Sequence, residues 1–337
     1  MTSPVRERLP WVAASFAVLV GAVMAAPLVG PSSISLSRAF DMGVPFAENV
    51  DAQIFFIARL PRALAAAIVG ASLAAAGVVF QALLRNPLAT PYTLGVSTGA
   101  SLGAMLAITF GWTLPGVITW ALPPVPAAAL AGAMGSVFIV YSLARARSAG
   151  LSTTVLLLAG VTLNAFFSAL ILFVQYIGNF ADVYRAMRWL MGNLDVSSYR
   201  QLAAPVPFIV LSAAIFVWLA KPLNLMAAGT AAAEARGLDV QRAQRLAFFS
   251  ASVITGAAVS IGGPIGFVGI IVPHLVRLVA GADHRIVLPA SAFVGGAFLV
   301  ACDVIARTIL SPVELPVGIV TAVIGGPFFL WMLIRKS

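Results

Sequence analysis

The stretch Arg59–Gly103, RLPRALAAAIVGASLAAAGVVFQALLRNPLATPYTLGVSTGASLG, reads as two apolar helical spans joined by a short polar hinge at Arg85-Asn86-Pro87. Pro87 has no N–H to donate and its ring clashes with the preceding turn, so no single helix runs through the hinge. Shifted by 186 positions, Gly70, Gly77, Pro87 and Gly95 fall on Gly256, Gly263, Pro273 and Gly281. Four Gly or Pro coincidences at one offset suggest an internal repeat. Its halves would lie at about 60–200 and 246–334 of a single domain covering 1–337.

The rest of the chain has the same apolar character. Of 337 residues, 61% are hydrophobic and 9% charged, with mean hydropathy +1.03, whereas a soluble domain carries roughly a quarter charged residues. The fold class is therefore all-α, a polytopic membrane protein. A span takes about 20 mostly apolar residues, which gives ten candidates at about 11–30, 63–84, 92–111, 124–144, 154–176, 203–220, 246–265, 267–281, 287–309 and 316–334. The eighth is too short to cross alone and fits a half-helix held against protein rather than lipid. Arg6 and Arg8 before the first span suggest a signal peptide, but its apolar run is longer than a usual signal core and more membrane follows it, so we read it as a retained helix. The single cysteine, Cys302, allows no disulfide within the chain and no metal-ligand cluster.

Short-loop charge decides orientation. With the N-terminus inside, the inner side holds 13 basic residues against the four acids Glu7, Glu234, Asp239 and Asp283. The outer side then holds seven basic residues, Arg38, Arg59, Arg62, Arg185, Arg188, Arg200 and Arg307, against seven acids. The whole formal charge of +9 falls on one side, which puts both termini in the cytoplasm and explains the basic pI without nucleic acid. With five spans between them, spans 2 and 7 cross in opposite senses, so the repeat is an inverted one, as in many transporters. Gly70, Gly77, Gly99 and Gly103 make faces that let helix backbones approach closely.

Between the spans, 112–126 reads as an interfacial loop with Trp112 and Trp120 at headgroup depth. Asn164, Gln175 and Tyr176 are polar positions in the fifth span, suited equally to a helix–helix hydrogen bond or to lining a pathway. The loop from Lys221 to Arg245 is the longest inner one. Pro222 is expected to stop a helix there, and Gly237 to terminate a short Ala-rich one carrying Glu234, in a form suited to docking a soluble partner.

These segments, with GGPIGFVGIIVPHLVRLVAGADHR, ACDVIAR, ELPVGIVTAVIGGPFFLWML, LLLAG, WLMGNL and LNLMAAGTAAAEARGLDV, resemble the permeases of iron-siderophore, haem and vitamin B12 ABC importers over almost the whole chain. The resemblance implies ten transmembrane helices, a dimer with a central pathway in the bacterial inner membrane, two cytoplasmic ATPase subunits, and a periplasmic or lipid-anchored substrate-binding protein. ATP and Mg would sit on the ATPase, since the chain has no G-x-x-x-x-G-K-[ST] phosphate loop and no cofactor of its own is expected. By resemblance, Asn86, Leu88, Thr153 and Thr154 form a cytoplasmic gate. Asn224, Glu234, Gly237 and Leu238 couple to the ATPase, and Arg59, Arg62 and Arg307 receive acidic residues of the binding protein. The spacing of Asp303 and Arg307 also allows an i, i+4 pair. The expected cargo is a metal chelate, a ferric siderophore first and haem or vitamin B12 as alternatives.

Two other classes bear weighing. Gly95-Val96-Ser97-Thr98-Gly99 matches the G-x-S-x-G pattern, with His274 and Asp303 as candidate base and orienter of an intramembrane serine hydrolase. That pattern needs a strand–turn–helix setting, however, and Ser97 lies in an apolar helical run. A passive channel would lack a soluble nucleotide-binding partner on the 221–245 loop.

Overall fold

In a computed structural model, which describes residues 8–112, 123–147, 152–196 and 198–335, the quoted stretch forms a central helix, a hinge and a second helix. Ten apolar helices are described, seven of them long enough to cross a membrane and three shorter. We number them α1 Leu9–Ala25, α2 Leu60–Leu84, α3 Val96–Thr109, α4 Pro124–Arg147, α5 Thr153–Ile177, α6 Val206–Ala227, α7 Val240–Gly262, α8 Val268–Ala280, α9 His284–Thr308 and α10 Val317–Arg335. No strand occurs among the described residues. Arg6, Glu7, Trp120 and Lys336 lie outside them.

α2 is the hub: it packs against α1, α6, α7, α8 and α9, while α3 packs against α4 and α5. Lipid tails are as apolar as leucine, so burial from water does not drive this packing; close van der Waals contact does. Small residues make the contact possible. A Cβ on Gly70 would strike the Gly295 carbonyl of α9, and one on Gly77 would strike the Gly269 backbone of α8.

α8, the expected half-helix, has 13 residues, about 20 Å at 1.5 Å each. The turn leading into it is enclosed by protein, with Ile265 buried and Asn193 N donating to Gly262 O at 2.9 Å. Pro273 sits inside α8 and removes the N–H that would bond the Gly269 carbonyl. Gln81 of α2 supplies the missing donor, its Nε2 lying 2.9 Å from Gly269 O, and its Oε1 accepts from Arg277.

Three expectations about the elements change. Pro222 does not stop a helix: α6 runs through it to Ala227, since a proline forfeits one hydrogen bond and the remaining turns carry the helix on. The connector to α7 is correspondingly shorter than 221–245. Span 2 also begins earlier, because Val50–Gln53 and a π-helical stretch Ile54–Arg59 lead directly into α2. The wider turn precedes Pro61 and accommodates the residue that cannot donate back to Ile57. Finally, Pro87 lies in a hinge whereas its repeat partner Pro273 lies within a helix, so the 186-residue offset does not join equivalent local structures there.

Candidate functional site

The polar groups collect at the two ends of the bundle. At the end where α2 begins and α9 finishes, Arg62 Nε meets Asp303 Oδ1 at 2.8 Å and Arg62 Nη1 meets Glu314 Oε2 at 2.5 Å. Arg307 is one turn beyond Asp303 and reaches its second oxygen at 3.8 Å, while its Nη2 donates to Ala26 O at 2.5 Å. Arg59 donates from Nη1 to Pro27 O at 3.0 Å and from Nη2 to the backbone and side-chain oxygens of Ser32. Arg59, Arg62, Asp303 and Arg307 are all buried, at 4%, 8%, 1% and 3% exposure, whereas the Glu314 side chain keeps 45%.

All three arginines expected to receive acidic residues of a binding protein thus have partners within the chain. The i, i+4 pair of Asp303 and Arg307 exists, but Asp303 makes its close hydrogen bond to Arg62, which lies 241 positions away. Sequence spacing reveals neighbours within one helix and is blind to partners on another. Glu314 was not singled out as a site residue for the same reason. Its signal was an acid just before the Pro316 that precedes the last span.

At the other end, which carries the basic residues, Arg85 Nη2 donates to Met226 O at 3.2 Å and Arg8 Nη1 to Ala280 O at 3.0 Å. Asp283 is the N-cap of α9, accepting from Arg285 N at 3.0 Å. The hydrogen bonds from the Arg285 guanidinium hold its carboxyl well below the usual carboxylate range, with Asn224 adding to the effect, so the cap stays charged. Asn224 Nδ2 donates to Asp283 Oδ1 at 2.7 Å, and its Oδ1 accepts from His284 N at 2.9 Å. Of the expected coupling residues, Asn224 therefore works inside the chain as a latch between α6 and α9.

The other three differ. Thr230–Glu234 forms one short helix whose Ala233 is buried and whose Glu234 is exposed, followed by a turn in which Gly237 is exposed. Leu238 N donates to Ala233 O at 3.1 Å and Gly237 N to Glu234 O at 2.8 Å. This is the Schellman closure, which requires a left-handed residue at its turn. Gly237 supplies it, with φ at +79°, and has open space around it.

The hinge and α5 meet through Asn164, whose Nδ2 donates to Tyr92 O at 2.7 Å and whose Oδ1 accepts from Thr98 at 2.5 Å. Asn164 thus makes the helix–helix bond, while Tyr176 is 89% exposed and Gln175 half-buried on α5. In the hinge, Asn86 Oδ1 accepts from Leu88 N at 2.9 Å, leaving Leu88 exposed. Ser152 is the N-cap of α5, so Thr153 and Thr154 are its first helical residues. The hydrolase constellation is not assembled. Ser97 is buried near the basic end of α3, while Asp303 is held by arginines at the other end.

Residues 18–335 match the FecCD transport family. The permease protein of the cobalamin import system of Halobacterium salinarum is 44% identical over 301 residues, 89% of this chain and 78% of that protein. The hemin transport system permease of Yersinia pestis is 37% identical over 278 residues, 82% of each. The vitamin B12 import system permease of Klebsiella pneumoniae is 39% identical over 282 residues, 82% of this chain and 81% of that one. A solved metal-chelate type ABC transporter in an inward-facing conformation superposes with a TM-score of 0.83 at 31% identity, covering 98% of this chain and 100% of that one.

Proposed function

The chain belongs to the FecCD transport family, and from that membership we propose that two copies form the pathway of an ATP-driven importer in a bacterial inner membrane. It is a permease subunit and not an enzyme; ATP hydrolysis is done by separate ATPase subunits. The observation that carries the proposal is the family match over residues 18–335.

The class of cargo is a metal chelate, haem or vitamin B12. A ferric siderophore is the cargo expected from sequence, while the names of the relatives favour the macrocyclic chelates, cobalamin first. The deciding experiment is uptake by proteoliposomes holding the permease and ATPase, with the cognate binding protein and labelled siderophore, haem and cobalamin in parallel. ATP-dependent accumulation of one of them identifies the cargo. Absence of uptake for all three in an assembled, ATP-hydrolysing complex overturns the importer reading.

In this reading both termini are cytoplasmic, and the basic end faces the ATPase through Glu234, Gly237 and Leu238. Leu88 and Thr154 are exposed at the same end and would face their copies across the dimer axis as a gate. Cysteines at 88 and 154 should crosslink in one nucleotide state and block uptake. At the outer end, Arg59, Arg62 and Arg307 would attract acidic groups of a binding protein, which must approach through Glu314, the exposed member of the cluster.

A further inference from the structure

A cleft of about 610 Å³ opens between α6 and α9 at the basic end, floored by Ala75 of α2 and walled by Ala213, Trp218 and Phe293, with Lys221 and Arg285 at its mouth. It lies apart from α5, which packs on α3 and α4. Along α6 the lining runs from Ala213 to Lys221, and along α9 from His284 to Phe293. At 1.5 Å per residue that is about 12–14 Å of depth, close to one leaflet of a hydrocarbon core about 30 Å thick. The walls are apolar over this depth and the charge is confined to the mouth. Trp218 is half exposed there, the usual place for tryptophan at a headgroup boundary.

Chemistry at the mouth is asymmetric. Arg285 shares its charge with Asp283, and His284 is bonded to Asn224, but Lys221 has no hydrogen-bond or ion-pair partner among the described residues. The charged groups Lys221, Arg285 and Asp283 together leave one net positive charge at the mouth. Two prolines add acceptors. Pro222 withholds the N–H that would bond the Trp218 carbonyl, and Pro289 withholds the one for Arg285. These carbonyls have lost their helical donor, so they favour a ligand that donates.

We propose that this cleft binds an anionic glycerophospholipid of the inner leaflet, with one acyl chain in the groove and the phosphate on Lys221. Headgroup hydroxyls would donate to the carbonyls that the prolines free. Phosphatidylglycerol has all three features, and phosphatidylcholine has neither the net charge nor the hydroxyl donors.

The test places the full-length chain in nanodiscs of unlabelled phosphatidylcholine with increasing mole fractions of brominated phosphatidylglycerol or brominated phosphatidylcholine. Quenching of Trp218 is read as the difference between the parent and Trp218→Phe. Phosphatidylglycerol should compete for the site about fivefold better than phosphatidylcholine, the factor given by about 1 kcal/mol for one basic side chain near an anionic headgroup. Lys221→Gln, an exposed change, should abolish that preference, and Ala292→Phe, which fills the cleft, should reduce quenching by both lipids. Equal quenching in the parent, or a preference that survives Lys221→Gln, overturns the proposal.

Discussion

At the end holding Arg62, the guanidinium groups of Arg62 and Arg307 are buried around Asp303 and Arg59 is buried on backbone carbonyls, whereas at the other end Glu234 and Gly237 stand exposed on a turn anchored through Ala233. The first arrangement binds elements together that are far apart in sequence: the turn after α1 through Ala26, α2 through Arg62, α9 through Asp303 and the stretch before α10 through Glu314. The second touches little of its own chain. A substitution in the buried cluster therefore acts on folding before it acts on any partner, and one in the exposed turn acts on a partner with the fold intact.

The contrast breaks most severely at Asp303. Asp303→Ala removes the one fully buried carboxylate of the cluster and leaves Arg62 and Arg307 short of a counter-ion, a loss of about 3–5 kcal/mol for a broken buried pair. The expected result is a large drop in thermal midpoint in detergent and in membrane yield. A variant as stable as the parent would mean that the cluster is hydrated and loosely held. Next in size is Gly77→Val, which drives a side chain into the Gly269 backbone. Overpacking of this kind costs about 1–3 kcal/mol, and since backbone is the obstacle, we expect the upper part of that range in the same assay.

How much of this was legible beforehand differs between the two ends. Hydropathy located ten spans, and the short eighth was legible as a half-helix because length is counted along the chain. Gly237 was legible because a helix stop is a local matter of φ. The partners of Arg59 and Arg62 were not, since they depend on which helices meet; Arg59 is held by carbonyls that leave no compositional trace, and of the partners of Arg307 only Asp303 could be read from spacing. Pro222 misled because a proline inside a well-packed apolar helix looks, in sequence, like one that ends it. Pro273 carried an unused clue: a proline within a span frees the carbonyl four residues back, and a nearby buried glutamine, here Gln81, is the donor to seek.

A smaller effect sharpens the comparison at the exposed end. Gly237→Val forces a β-branched residue to a left-handed φ, at about 1–2 kcal/mol, and the turn pays it locally by opening rather than by unfolding the bundle. The thermal midpoint should move little while stimulation of the ATPase in the assembled complex falls. Gly237→Asn, which tolerates that conformation better, should restore most of it. If both variants couple normally, the turn is not the coupling element.

The smallest expected effect on stability is at Glu314, because this carboxylate belongs to the buried cluster yet reaches solvent. Its bond to Arg62 is made by a side chain 45% exposed, and Arg62 retains Asp303 on its other side. Glu314→Gln keeps the shape and a hydrogen-bond acceptor and removes one negative charge. For a half-exposed pair the cost is about 0–1 kcal/mol, a small shift in melting. Docking should change in the opposite sense. With Glu314 present, Arg59, Arg62 and Arg307 are offset by two carboxylates; with glutamine only Asp303 remains, and the cluster gains a unit of positive potential at its open side. An acidic binding protein should then associate faster, with a steeper salt dependence, and bind tighter by a factor of about 2–5, the equivalent of roughly 0.5–1 kcal/mol. Surface plasmon resonance of the nanodisc-embedded complex against its binding protein, run at several salt concentrations, reads both quantities. Weaker docking by Glu314→Gln would make Glu314 a contact for the partner's basic groups and reverse the assignment of this face as an acid-binding one.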